Sequence, residues 1–232
     1  LLKKKIYRLL KKEYSNLQSS NNRYTYLKSN KNDEIKNRVQ PLCENLDNLE
    51  KIKNSKEYKG VVGEQEVIKN LKDLPDSYFC FNNVFLELER YISFNNSKLK
   101  SAQIDHLVVG PTGVYVIETK NWSPEYVQKV FSENSYTPYD QIQRSSYLTY
   151  KYLNSLKYGN TFQKTYFNYS KNEIKVKSII AINGADIPYV KGRHAYVVRT
   201  NELSSYIQKG SQIFSFEEVH EIAEKFIHRV SN

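Results

Sequence analysis

Three ionisable residues, Asp105, Glu118 and Lys120, have types and spacing that could do chemistry. They lie in the stretch QIDHLVVGPTGVYVIETK, Gln103 to Lys120. Ile104, Leu107, Val108 and Val109 form one apolar run, and Val114, Tyr115, Val116 and Ile117 form the other. Between them stands Gly110-Pro111-Thr112-Gly113, residue types that punctuate tight turns, so the stretch is predicted to be a β-hairpin. Pairing Val109 with Val114 sets Asp105 opposite Glu118 and Gln103 opposite Lys120. Facing residues on antiparallel strands have Cβ atoms about 4.5–5.5 Å apart. Side chains two apart share a face, so Asp105, Glu118 and Lys120 are predicted on one side. Two carboxylates that close repel, and buried ones do not both ionise without compensation. A divalent cation, which prefers oxygen ligands, would supply that compensation. The alternative is a salt bridge on a sheet face, but buried pairs of that kind are costly and rarely needed for stability. His106 falls on the opposite side of the strand and is predicted to pack in the core. Gln103 is predicted to fix the Lys120 side chain.

The flanking elements must hold this hairpin in place. Phe79 to Leu88 is rich in β-formers and is predicted as a strand. A polar turn region, Ser93–Ser101, would carry it into the hairpin and give a three-stranded antiparallel start to a sheet. Upstream, Gly60-Val61-Val62-Gly63-Glu64 leads into Val67, Ile68 and Leu71 at helical spacing, and Leu74-Pro75 ends that helix. Glu64 then sits early in the helix, where an acid either complements the dipole or reaches toward the site. After Trp122, Ser123-Pro124 is predicted to open a loop to about Tyr136. Pro138-Tyr139-Asp140-Gln141 opens the next helix. Residues 157–172 interleave aromatic and basic side chains, which suits base stacking and phosphate clamping and equally suits a loop over the core. Ile174–Ile182 and Tyr196–Val198 are predicted strands. Helix starts follow at Asn201-Glu202-Leu203 and at Ser215, where Ser215 with Glu218 makes a capping box. Val219, Ile222, Ala223, Phe226 and Ile227 give the last helix its apolar spacing.

Residues 1–57 are compositionally separate, with no glycine and one proline, Pro41. Leu10, Tyr14 and Leu17 repeat at helical spacing, and Ile35, Val39, Leu42, Leu46 and Leu49 alternate four and three apart as in a heptad seam. Ser19-Ser20-Asn21-Asn22 is predicted to break the first helix, and Pro41 to kink or restart the second. This is predicted to be a helical arm of coiled-coil character that pairs with a second copy or another protein, packs on the domain that follows it, or covers its own core.

The run Gln103–Pro111 followed by Ile117-Glu118-Thr119-Lys120-Asn121-Trp122 closely resembles the core of the nuclease-related domain, the NERD family of the PD-(D/E)xK phosphodiesterase superfamily. A separated Asp and a Glu-x-Lys are that superfamily's signature. Gly-x-x-Gly-Glu with its helix and Leu-Pro resembles the family's opening helix, and Pro-x-x-Gln its glutamine-bearing helix. The resemblance covers about 58–232, the expected domain, and leaves 1–57 as an arm. It implies an α/β restriction-endonuclease-like fold, a mixed central sheet flanked by helices. It implies Mg²⁺, with Mn²⁺ as substitute, held by Asp105, Glu118 and the Thr119 carbonyl, with Glu64 ligating directly or through water. Lys120 would orient the attacking water or stabilise developing charge, and Gln141 would hydrogen-bond Lys120 or a phosphate. The implied activity is endonucleolytic cleavage or nicking of DNA. A non-cleaving module that binds nucleic acid or recruits a partner in a larger DNA-processing or defence system is the alternative.

The composition agrees with a soluble, folded chain: 232 residues can bury a full core, and 39% hydrophobic with 26% charged residues is ordinary. The net charge of +10 is not ordinary. It suits a polyanion, either nucleic acid or an anionic membrane surface, or reflects a genome that fills surfaces with Lys and Asn. The two cysteines, Cys43 and Cys80, form no zinc or disulfide pattern, which suits a reducing cytoplasm. No apolar run of membrane-spanning length occurs in this chain. The chain contains no Met, so a tethering segment ahead of Leu1 stays open.

Overall fold

The computed structural model describes residues 2–133, 136–155 and 173–230. The predicted aromatic loop at 157–172 therefore lies outside the described residues. The chain divides into two units, Leu1–Ser55 and Lys56–Asn232.

The first unit is two helices, α1 (Leu2–Ser29) and α2 (Lys31–Asn54). The expected break at Ser19–Asn22 does not occur, and α1 runs through it. Ser and Asn cost only some tenths of a kcal/mol each in a helix interior, too little to stop one that holds no Gly or Pro. The break falls instead at Asn30, whose side-chain amide donates to the Tyr26 carbonyl at 3.0 Å. Pro41 sits inside a continuous α2, so it neither splits nor restarts that helix. Glu34 of α2 ties the two helices together by accepting from Arg23 of α1 at 2.7 Å, and it also accepts from Arg38, one turn along its own helix, at 2.8 Å. The paired guanidinium groups hold the Glu34 carboxyl below its usual range.

The second unit is an α/β domain around a five-stranded mixed sheet in the order β1-β2-β3-β4-β5. Strands β1 (Phe79–Phe94), β2 (Ser97–Gly110) and β3 (Gly113–Lys120) are antiparallel. Strands β4 (Val176–Ile182) and β5 (Tyr196–Arg199) continue in parallel from β3. The turn predicted over Ser93–Ser101 shrinks to Asn95-Asn96, both at positive φ (47° and 59°). That is the backbone a two-residue hairpin needs, and Asn tolerates it. The central hairpin keeps the predicted register: Val109 pairs with Val114, and the paired Gly110 and Gly113 leave only Pro111-Thr112 to turn.

Helix α3 (Lys56–Leu71) precedes the sheet. Helices α4 (Pro124–Ser132) and α5 (Pro138–Ser155) cross between β3 and β4, and α6 (Leu203–Gln208) and α7 (Phe216–Glu224) follow β5. The segment expected as a loop after Trp122 is thus partly helix. Ser123 caps α4 by accepting from the Tyr126 N–H, and Pro124 stands at its first position, where its missing N–H costs nothing. Period-two alternation sorts β3 onto two cores. Val114 and Val116 join Leu107, Val109, Ile142, Leu148 and Ile222 on the α5 and α7 side. Tyr115 and Ile117 join Val108, Val67, Leu203 and Ile207 on the α3 and α6 side. From Gly113 to Thr119 every residue of β3 is buried.

Candidate active site at the end of the central hairpin

Strand parity places Asp105, Glu118 and Lys120 on the α5 side of the sheet, two and four residues beyond buried Leu107 and Val116. His106 falls on the other side, buried, with Nδ1 2.7 Å from Asn82 Oδ1. Burial pushes its imidazole down to about 4, so it stays neutral. The β2–β3 ladder ends at His106–Ile117. Beyond it the Asp105 side chain takes over, and its Oδ2 accepts from the Thr119 N–H at 2.8 Å. Asp105 is thereby locked beside the Glu118–Lys120 segment by a strong, charge-assisted bond.

Glu118 is only 2% exposed. Its Oε1 accepts from Lys120 Nζ at 2.5 Å, and the same ammonium donates to Gln141 Oε1 of α5 at 3.2 Å. Burial raises the Glu118 carboxyl to about 8, helped by the Asp105 charge and by a hydrogen bond to Asp105; the Lys120 ammonium opposes the rise without cancelling it. Gln103 does not hold Lys120. It pairs with Phe85 on β1, and its amide donates to Asn83. It has no partner on β3 because the ladder has already ended. Gln141, from a different element, takes that place.

Glu64 faces the same cavity from α3. It is the ninth residue of α3, which begins at Lys56 and not at Gly63. The dipole explanation for this acid, which applies to the first turn, therefore fails. Burial and the Asp105 charge raise its carboxyl, and Lys120 lowers it. Gly63 is what brings this helix close: a Cβ there would lie 2.9 Å from the Asn121 Cβ, and Asn183 Nδ2 donates to the Gly63 carbonyl at 2.9 Å. Gly184 has the same role on the far side, where a Cβ would meet the Trp122 carbonyl oxygen at 2.1 Å. The sequence reading missed Asn183 and Gly184; the Asn-Gly pair closing a buried strand was the signal available. It also missed Lys56, Lys59 and Tyr126, which line the cavity of about 450 Å³ together with the acids, Thr119, Lys120, Trp122 and Gln141.

The donor set bears on whether a divalent cation fits. Among the described residues no three His, Cys, Asp or Glu side chains form a ready-made cluster. Glu64 is therefore not a third carboxylate of a closed cage with Asp105 and Glu118. What is present is a pair of hard oxygen donors, Asp105 and Glu118, with Glu118 raised by burial and then by the Asp105 charge, and a further acid, Glu64, raised by the same two causes. Mg²⁺ typically keeps several waters and takes only one or two carboxylates. Two opposed carboxyls on one open cavity wall fit that habit.

Residues 59–183 match the family model of the nuclease-related domain, NERD. The chain is also similar to an uncharacterized protein of Bacillus anthracis, 29% identical over 111 residues that cover 44% of this chain and 46% of that protein. The chain thus spans less than half the length of this relative. No helix among the described residues is long and apolar enough to cross a membrane.

Proposed function

Because the chain belongs to the NERD family, a branch of the PD-(D/E)xK-like nucleases, we propose that it is a metal-dependent deoxyribonuclease that cuts or nicks DNA at the Asp105–Glu118–Lys120 wall. One observation carries the reading. Two carboxyls and an ammonium from neighbouring strands converge in one cavity, hydrogen-bonded to each other and to Gln141. Asp105 and Glu118 would hold Mg²⁺, with Mn²⁺ as substitute, and the Thr119 carbonyl and Glu64, directly or through water, would add to a shell that keeps several waters. Such an ion supplies phosphate neutralisation and an acidified water. Asp105, fixed through the Thr119 N–H, orients the donor set. Lys120 gives its charge to a non-bridging phosphate oxygen or holds the attacking water, and Gln141 keeps the ammonium from swinging away. The net charge of +10 draws the polyanion in.

Supercoiled plasmid incubated with MgCl₂ or MnCl₂ tests this. Nicked or linear product is expected, with a loss of at least about 10²-fold for Asp105→Ala and Lys120→Ala, the scale of removing one preorganised charge partner. Intact plasmid under both metals, or cutting unchanged in both variants, defeats the proposal. A second reading has its own support: Ile35, Val39, Leu42, Leu46 and Leu49 are all exposed on the arm. In that reading the arm holds a second copy of the chain or another protein, and the sheet domain binds nucleic acid without cutting. A melting shift with Mn²⁺ that vanishes in Glu118→Ala separates the two, because only the nuclease reading needs the ion.

A further inference from the structure

The cavity holds more than the cleavage wall needs. Trp122 and Tyr126 stand on its rim with ring centroids 5.0 Å apart and planes at 81°, so they make a corner and not a stack. Three cations border that corner. Lys120 Nζ lies 5.5 Å from the Trp122 ring centroid and Lys56 Nζ 5.2 Å from the Tyr126 ring centroid, and Lys59 lines the same cavity. Both rings are carried by fixed backbone. The Trp122 carbonyl accepts from the Ala185 N–H at 2.8 Å and packs against Gly184, and Tyr126 lies in the capped first turn of α4. Large aromatic faces left partly open beside lysines are an unusual way to line a purely structural cleft. They are the ordinary way to hold a base by its π-face and its phosphate by charge.

We infer that Trp122 and Tyr126 form a stacking corner for one unpaired nucleobase, and that Lys56 and Lys59 hold the adjoining phosphate, so that the site takes single-stranded DNA or a frayed duplex end. The assignment of substrate class rests on the nuclease reading above. A base inside a duplex already has both faces covered by its neighbours, so only one that has left the stack can enter a concave corner. The position fits the chemistry, because Trp122 is two residues from Lys120 on the same chain segment. A base held there places its own phosphate next to the Asp105–Glu118 wall. Lys56 occupies the exposed start of α3, where a flexible stem can swing from the Tyr126 ring to a phosphate.

Trp122 is the single tryptophan of the chain, so its emission reports on this corner alone. The full chain is titrated in EDTA, where no cutting occurs, with a short oligothymidylate and with a blunt duplex of equal length. Quenching by the single strand, and not by the duplex at matched salt, is expected. With a dye-labelled oligothymidylate, Trp122→Ala should bind about tenfold more weakly, as loss of one stacked base predicts. Trp122→Phe should recover most of that loss, and Lys56→Ala should lower the salt dependence by about one phosphate contact. Equal quenching by the duplex, or an unchanged affinity in Trp122→Ala, overturns the inference. If Trp122→Ala fails to fold, the comparison of single strand with duplex on the unsubstituted chain decides alone. Quenching without any plasmid cutting would sink the nuclease reading only, and plasmid cutting without quenching would sink this one only.

Discussion

Strand β3 and helix α2 carry apolar patterns of similar regularity, and the chain treats them in opposite ways. In β3 every residue from Gly113 to Thr119 is buried, Glu118 included. In α2 no residue is buried, and the seam residues Ile35, Val39, Leu42, Leu46 and Leu49 are between 46% and 62% exposed. The difference lies in what each pattern can close on. A strand alternating on both faces finds two cores within its own unit, one under α5 and α7 and one under α3 and α6. A heptad stripe is complementary to another helix of the same period, and α1, tied to α2 by the Arg23–Glu34 ion pair, leaves the stripe exposed. The regularity of a pattern therefore predicts an element; it does not say whether the element's partner lies in the same unit.

The sharpest contrast comes from cutting equal pieces out of both regions. Leu107 is fully buried, so Leu107→Ala should cost about 2–5 kcal/mol and lower the urea midpoint of the sheet unit. Leu46 in the seam is 61% exposed, and Leu46→Ala should leave that midpoint in place. Comparable losses at both positions would mean that the seam is packed in solution and that the contrast is false.

The next contrast sets a buried acid against the solvated ones of the arm. The Glu118 carboxyl rises from an ordinary 4.5 to about 8, through burial first and Asp105 second. Between those values the folded chain binds a proton that the unfolded chain has released, so stability falls as pH rises through the window. The contribution is complete below about 4.5 and lost above about 8, on the order of a few kcal/mol. In EDTA the urea midpoint should therefore drop between pH 5 and pH 8, and Glu118→Gln should flatten the slope. Added Mn²⁺ should restore stability at the upper end, where the carboxylate is ionised and able to ligate. A midpoint that climbs with pH over this range would show that Lys120, and not desolvation, governs Glu118.

These contrasts also explain which parts of the molecule could be read from the residues alone. Asp105, Glu118 and Lys120 come together because the turn fixes the register of the hairpin and the alternation puts them on one face, whereas Gln141 was expected only from the resemblance of its helix. What the alternation could not show was where pairing stops. The ladder ends at His106–Ile117, and that ending frees Asp105 to bind the Thr119 N–H and sends Gln103 to Asn83. Local preference was a weaker guide. Ser19–Asn22 continues as helix, and Ser123-Pro124 starts one, because each such choice is worth under about a kcal/mol. The packing roles of Gly63 and Gly184 escaped for a third reason: a Gly-x-x-Gly-Glu motif and an Asn-Gly pair mark the positions, but which atoms approach each glycine comes from tertiary structure.

Gly184 gives a smaller test of the same point. A Cβ at this position would press on the Trp122 carbonyl oxygen, a backbone atom that cannot rotate away. Gly184→Ala should cost about 1–3 kcal/mol and alter Trp122 emission, whereas Gly60→Ala, with open space around it, should do neither. An unshifted emission spectrum in Gly184→Ala would mean that the Trp122 corner is not fixed by backbone.

The smallest effect on the sheet unit, and the most informative about the arm, comes from the seam itself. Val39 and Leu46 occupy one set of heptad positions and Ile35, Leu42 and Leu49 the other, so the stripe repeats with the spacing of a coiled-coil seam. If a second copy covers this stripe, Leu42→Asp with Leu49→Asp should abolish self-association in sedimentation equilibrium, while melting of the sheet unit moves by no more than about 0.5 kcal/mol. Pro41 lies outside the seam positions, so a helix pair can form around it even though the carbonyl four residues upstream loses its donor. An unsubstituted chain that stays monomeric at every concentration would rule out a second copy as the cover of this stripe.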